Sequence, residues 1–278
     1  MQRRLHRSRP DHGRGGYAPR VKPSPACSLD QVSLSLGDRT VLQSISLEVG
    51  RGEQVAILGP SGAGKTTLLR ILSAGLPPSQ GGVRVLDQNP WELKRNGLRS
   101  LRSRIGFVHQ DHALVPNLRV WQNVAVGRLG RPGSLGHMRR MTLASRSELR
   151  DLHDILEQVG IADLLFQRTA DLSGGEQQRV AIARSLYQEP ALLLADEPVA
   201  SVDPARAQQV MDLLVGLANS REIPLVISLH DLELARRNMS RLIGLREGRV
   251  LFDSAPKEVS EGKIKELYAL PSQENGAP

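Results

Sequence analysis

The chain has 278 residues, 40% hydrophobic and only 3% aromatic, enough for a core built mainly from Leu, Val, Ile and Ala. No apolar run approaches the ~20 residues that cross a bilayer, no secretory leader is legible, and the single Cys27 excludes an internal disulfide. The expectation is a cytoplasmic protein. A net charge of +8 would suit a nucleic-acid binder, but residues 1–28 hold seven of the 37 basic residues and one of the 29 acids, so the rest is nearly balanced. That stretch, rich in Arg, Pro and Gly, is expected to be a disordered basic tail, solvated or weakly held by anionic headgroups. No nucleic-acid partner is expected.

In chain order, "QVSLSL" and "TVLQSISLEV" alternate apolar and polar residues, as half-buried antiparallel strands do. "EQVAILG" is a continuous apolar run ending in glycine, the pattern of a strand buried on both faces. "KTTLLRILSAG" then predicts a helix closing at Gly75. "GGVRVLDQ" and "RIGFVHQD" are further strands. From Asn117 to Gly160 the texture is helical and polar, interrupted at "GRLGRPGSLG". Ser145 and Glu148 form a capping box, followed by an apolar face of Leu149, Leu152, Leu156 and Val159 and a stop at Gly160. "ALLLADE" and "PLVISLHD" predict strands, and "ARAQQVMDLLVGLA" and "LELARRNM" predict helices. "RLIGLREGRVLFD" contains a hairpin-like Glu-Gly turn, and "VSEGKIKELYAL" predicts a last helix before a polar tail at 271–278. Strands alternating with helices imply an α/β fold with a mostly parallel sheet, binding its ligand at the strands' carboxyl ends.

"GPSGAGKTT" (Gly59, Pro60, Ser61, Gly62, Ala63, Gly64, Lys65, Thr66, Thr67) matches the P-loop pattern between a buried strand and a helix. Its glycines let successive N–H groups face phosphate oxygens at a helix N-terminus. Lys65 can reach the β- and γ-phosphates and Thr66 can hold Mg²⁺. The strand "LLLADE" delivers two acids. Adjacent strand residues point oppositely, so Asp196 is assigned to the metal and Glu197 to the attacking water.

"LSGGE" (172–176) raises a different question. Ser173 and Glu176 form a second capping box, but Gly174 and Gly175 are poor helix formers that capping does not need. They make sense where something must approach the backbone closely. Since the P-loop already envelops its own nucleotide, one resolution is that this helix start serves another copy of the chain.

At this point the sequence resembles the ATP-binding subunits of ABC transporters, with "LSGGE" as the signature motif. The resemblance spans roughly residues 28–270 and implies a P-loop NTPase fold of the ABC type. That fold has a mostly parallel core sheet, an antiparallel β subdomain and a helical subdomain at about 112–172, within a domain at 29–270. It further implies a head-to-tail homodimer in which Ser173, Gly174 and Gly175 complete the partner's ATP site. By the same resemblance Gln110 in "FVHQD" senses Mg²⁺ and touches the membrane subunit, Ser201-Val202-Asp203 crosses the dimer seam, and His230 in "ISLHD" meets the γ-phosphate.

The wording of "VAVGRLG", "ADEPVASVDP", "LHDLELAR" and "IGLREGRVLFD" is similar to that of phosphonate-importer ATPases. The implied protein is an ATP hydrolase on the cytoplasmic face of the inner membrane. It would join permease subunits and, through them, a solute-binding protein, and power import of phosphonates or related phosphorus oxyanions. The ATPase subunit of an efflux or other-solute ABC transporter is the alternative. A nucleic-acid-maintenance ATPase is disfavoured, because the chain has one P-loop and no sustained heptads.

Three departures stand out. Leu36, with Arg39 nearby, occupies the place of the usual adenine-stacking aromatic. Glu176 replaces the commoner glutamine. The basic tail is long, while little follows Tyr268, so the extra regulatory domain of some importers is expected to be absent. Arg128, Arg131, Arg139 and Arg140 of the insertion are read as solvated charges or as facing the partner or lipid.

Overall fold

Alternating burial along Cys27–Leu36 (β1) and Arg39–Val49 (β2) makes them an antiparallel pair, with Leu29 opposite Leu47 and Val32 opposite Ile45. β1 begins at Cys27, two residues before the boundary that composition suggests, and burial pushes its thiol up to about 12. The computed structural model describes residues 24–130, 144–200 and 202–269; the basic tail, Ser201, Arg131, Arg139, Arg140 and the last nine residues lie outside them.

Gln54–Leu58 (β3) is buried throughout, as its continuous apolar run predicts. It feeds through the glycine-rich loop into Lys65–Leu72 (α1). This helix stops earlier than Gly75: Ala74, fully buried, takes the left-handed turn at φ 57°, and the Gly75 amide bonds back to the Arg70 carbonyl. Gln80–Val85 (β4) then pairs with the other side of β1, giving a three-stranded sheet of order β2-β1-β4. No apolar periodicity predicts the next element, Arg95–Arg102 (α2), which carries three arginines and a glycine and buries only Leu101.

Ile105–Val108 (β5) leads into the insertion, built from Val120–Ala125 (α3) and Arg146–Gln158 (α4). The Ser145–Glu148 capping box forms as its sequence spacing predicts, and Gly160 ends the segment at φ 73°. Leu152, Ile155, Leu156 and Val159 are buried while Leu149 is only half-buried, so the apolar face is turned slightly toward Ile155. Gly174–Tyr187 (α5), Leu192–Asp196 (β6), Pro204–Ser220 (α6), Leu225–Leu229 (β7) and Leu232–Asn238 (α7) follow. Arg241–Arg246 (β8) and Arg249–Ser254 (β9) meet at Glu247-Gly248, both left-handed, in the turn the sequence predicts. Glu261–Tyr268 (α8) closes the described chain. None of these helices is long and apolar enough to cross a membrane.

The main sheet has the order β5-β6-β7-β3-β8-β9, parallel except for β9. Its period-two alternation splits the interior in two. Val55, Ile57, Leu192 and Leu194 pack toward α1 and the antiparallel sheet, whereas Ala56, Leu58, Leu193 and Ala195 pack toward α5 and α6. Because β5, β6, β7 and β3 are neighbours and parallel, the residues following them emerge side by side at one edge. Those residues are Gln110, the Asp196-Glu197 pair, His230 and the Gly59 loop.

Candidate functional site: a phosphate loop facing two carboxylates and a histidine

The loop after β3 is glycine-rich for steric reasons. A Cβ on Gly59 would lie 2.1 Å from the Leu245 carbonyl oxygen, and one on Gly64, at φ 107°, would lie 2.7 Å from Leu42. The β8–β9 turn supports the loop from behind, with the Gly248 amide donating to the Ala63 carbonyl at 3.1 Å. Ser61, Gly62, Gly64, Lys65, Thr66 and Thr67 line an open hollow of about 410 Å³. Arg39, Gln110, Glu197 and His230 line it too. Leu36 does not, and is exposed at the tip of its hairpin. Of the two residues near the adenine-stacking place, only the cationic one faces this hollow.

Lys65 is 4% exposed. Its Nζ donates to the carbonyls of Gly59 (2.9 Å) and Pro60 (3.2 Å) and lies 3.4 Å from Glu197 Oε1. Burial pulls the ammonium's pKa down, and the carboxylates of Glu197 and Asp196 oppose that pull. His230 Nε2 is 2.6 Å from the same Glu197 oxygen, close enough to be its donor. One carboxylate therefore gathers the lysine and the histidine.

Asp196 faces elsewhere. Its Oδ1 accepts from Thr66 Oγ1 at 3.2 Å and from Ser228 Oγ at 2.7 Å. The two acids diverge, but not by strand pleating as the sequence suggests. β6 ends at Asp196, and Glu197 takes a left-handed φ of 46°, an uncommon conformation for a non-glycine residue. Its amide is held by Ser228 Oγ at 2.9 Å. Ser228, fully buried, thus fixes both the Asp196 side chain and the Glu197 backbone. It escapes the sequence reading, although a lone hydroxyl inside the apolar run "LVISLHD" must find a partner and so marks a built site.

Ser173 caps α5 through the predicted box. The Glu176 carboxylate accepts from the Ser173 amide (2.8 Å) and hydroxyl (2.7 Å), and these bonds hold its pKa below the ordinary carboxylate value. A Cβ placed on Gly174 or Gly175 would meet nothing within 4 Å, so neither glycine is required by the packing of the described chain. Both face a smaller hollow of about 270 Å³ shared with Gln110, Glu197 and Asp203. Asp203 caps α6, accepting from the Arg206 amide at 3.1 Å. Ser173, Gly174 and Gly175 do not line the hollow of their own P-loop; the two hollows adjoin through Gln110 and Glu197.

Arg128 proves to be structural rather than solvated or free for a partner. Its guanidinium lies over the Tyr187 ring at 4.0 Å and donates to the Tyr187 carbonyl and the Glu189 carboxylate. Beside it, α2, β5 and α5 border a hollow of about 860 Å³, lined by Arg95, Arg99, Arg102, His109 and Arg184 among others. It lies away from the phosphate loop.

Residues 42–200 match the family model described as ABC transporter. The chain is 45% identical over 242 residues to the phosphonates import ATP-binding protein PhnC 1 of Pseudomonas syringae pv. syringae, covering 87% of this chain and 91% of that one. It is 42% identical to the corresponding protein of Pseudomonas putida, covering 88% and 90%. Identity to the phosphonates import ATP-binding protein PhnC of Anaeromyxobacter dehalogenans is 45%, over 94% of this chain but only 53% of that longer protein.

Among solved structures, cbiO1 from Clostridium perfringens, part of the ABC transporter complex cbiONQ, aligns with a TM-score of 0.75 and 30% identity over 87% of this chain and 94% of its own. The bacterial ABC transporter cassette MJ0796, solved as a dimer, aligns at 0.71 and 30% over 83% and 98%. With the fold, the P-loop edge and these likenesses in agreement, the chain belongs to the ABC transporter family, as one of its ATPase cassettes.

Proposed function

We propose that the chain is the ATP-hydrolysing subunit of an importer for phosphonates or related phosphorus oxyanions. Two copies would close head-to-tail on ATP. The observation that carries the hydrolytic part is the convergence of Lys65, Glu197 and His230 on one point at the edge of four adjacent strands. A triphosphate entering the Gly59 loop competes with Glu197 for Lys65, which frees the carboxylate to orient and deprotonate a water. His230 then serves the γ-phosphate. Thr66 and Asp196, with oxygens 3.2 Å apart, and the Gln110 amide are hard oxygen donors of the kind Mg²⁺ prefers, so the donor set fits that ion. When bound, Mg²⁺ supplies neutralisation of the phosphate charge.

Ser173, Gly174 and Gly175 would complete the site of a second copy, with Asp203 at the seam. The unobstructed glycines support this, because they leave room for phosphate oxygens that their own chain's P-loop does not bring there. The basic hollow between α2, β5 and α5 is the seat offered to a cytoplasmic helix of the permease. Such a contact would hold the subunit peripherally on the cytoplasmic face of the membrane, with a solute-binding protein acting through the permease.

The cargo rests on the relatives, which are named as phosphonates import ATP-binding proteins. Reconstitution with candidate permease and solute-binding partners, scoring ATP-driven uptake of phosphonate, phosphate and phosphite into vesicles, tests it. Export in place of uptake, or uptake of none of the three, would overturn the proposed direction or cargo.

A further inference from the structure

Pairing of β3 with β7 ends at Leu58 opposite Leu229. The next residue on each strand is functional, Gly59 on one and His230 on the other, and no sheet hydrogen bond joins them. The phenol of Tyr268, the final residue of α8, sits at this divergence. Its hydroxyl donates to the His230 carbonyl at 3.1 Å. The side chain thus ties α8 to the end of β7.

The helix is held where this contact requires. Leu267 is fully buried, and the Arg246 guanidinium on β8 bonds to the Glu266 carbonyl. Burial raises the pKa of the phenol, so the hydroxyl stays protonated and available as a donor at neutral pH.

We propose that Tyr268 is a positioning residue for hydrolysis: its hydroxyl holds the His230 backbone carbonyl and so sets the spacing between His230 and Lys65 across the phosphate site. That spacing is 3.3 Å between His230 Nε2 and Lys65 Nζ. The inference rests on the proposed role of His230 at the γ-phosphate. It assigns function to the C-terminal helix, whose sequence reads only as a closing amphipathic turn.

The test is Tyr268→Phe, which removes one oxygen from a ring that is 37% exposed and leaves the helix packing in place. ADP engages the P-loop but offers no γ-phosphate, so its affinity reports on the Gly59 loop alone. The expected result is a fall in kcat of about 5- to 10-fold, the loss of one hydrogen bond, with the Kd for ADP within about twofold of the wild type. A kcat within about twofold of wild type overturns the proposal. So does a loss of ADP affinity as large as the loss of kcat, because the phenol would then only brace the P-loop. His230→Ala, assayed alongside, separates the two claims: full hydrolysis in that variant removes the role of His230 itself, whereas an inactive His230→Ala with a normal Tyr268→Phe removes only the role of Tyr268.

Discussion

The P-loop edge and the start of α5 are both helix N-termini, yet they are built in opposite ways. At the first, Lys65, Asp196 and Ser228 are each less than 7% exposed, and every one of them is hydrogen-bonded within the chain. A Cβ on Gly59 or Gly64 would collide with its own chain, and Gly62 takes a left-handed φ of 79°. At the second, the N-cap is satisfied by its own box, and Gly174 and Gly175 have open space where a side chain would go. The first site is shaped by its own fold. The second carries two poor helix formers in its first turn that no contact of its own chain requires, which points to a ligand or chain from outside.

The strongest way to break this comparison is at the carboxylate the first site encloses. Glu197→Gln keeps the shape but cannot take a proton; ATP hydrolysis should fall by at least about 100-fold while ATP affinity is kept and an ATP-bound dimer accumulates. Steady-state turnover and size-exclusion chromatography with ATP check both parts, and near-normal turnover would remove Glu197 from its role. The second site is tested by complementation. Ser173→Arg and Lys65→Ala chains should each be inactive alone. Mixed one to one, half the dimers are hybrids with one intact composite site, so activity should recover to about a quarter of wild type. If every mixture stays inactive and fails to pair on ATP, the signature is not completing a neighbour's site.

The two regions also differ in how far the sequence reveals them. The strands of the main sheet are legible because burial on both faces leaves unbroken apolar runs, as in "QVAIL" and "LLLAD". The P-loop is legible because its spacing is tied to a strand and a helix that can be seen independently. Helix α2 is not legible, since three arginines and a glycine erase the apolar period and only its tertiary position explains it. The left-handed turn at Glu197 is hidden for a related reason: backbone conformation at a strand end is set by what holds it, here a hydroxyl 31 residues away. Ser228 and Tyr268 lie in segments whose periodicity is fully explained without them, so only coordinates draw attention to their oxygens. Arg128 shows the reverse error, a charge read as solvated or facing a partner or lipid that instead stacks on an aromatic ring.

A finer probe of the first region is Ser228→Ala. It leaves the Glu197 amide without its acceptor and takes a donor from Asp196, inside a fully buried strand. The expected loss is about 1–3 kcal/mol in urea unfolding. kcat should fall more than the affinity for ADP, because the hydroxyl orients the two acids rather than the P-loop. Unchanged stability and turnover would show that water replaces the hydroxyl at no cost.

The smallest effect concerns the second region and its unusual acid. The Ser173 side chain first, and its amide second, hold the Glu176 pKa below its ordinary value near 4.5. The folded chain therefore gives up that proton more readily than the unfolded chain. The stabilisation is complete above the ordinary value and disappears as pH falls through the lower, folded value. Glu176→Gln keeps an acceptor for the box but removes this titration. Wild type should exceed the variant by roughly 0.3–1 kcal/mol at pH 7 and low salt, the worth of an acid in a first helical turn. The gap should close on acidification through the carboxylate range. Unfolding curves for the two proteins that run parallel from pH 7 to pH 3 would mean that the carboxylate does not stabilise the helix start. Its charge would then have to be explained by whatever approaches the two glycines beside it.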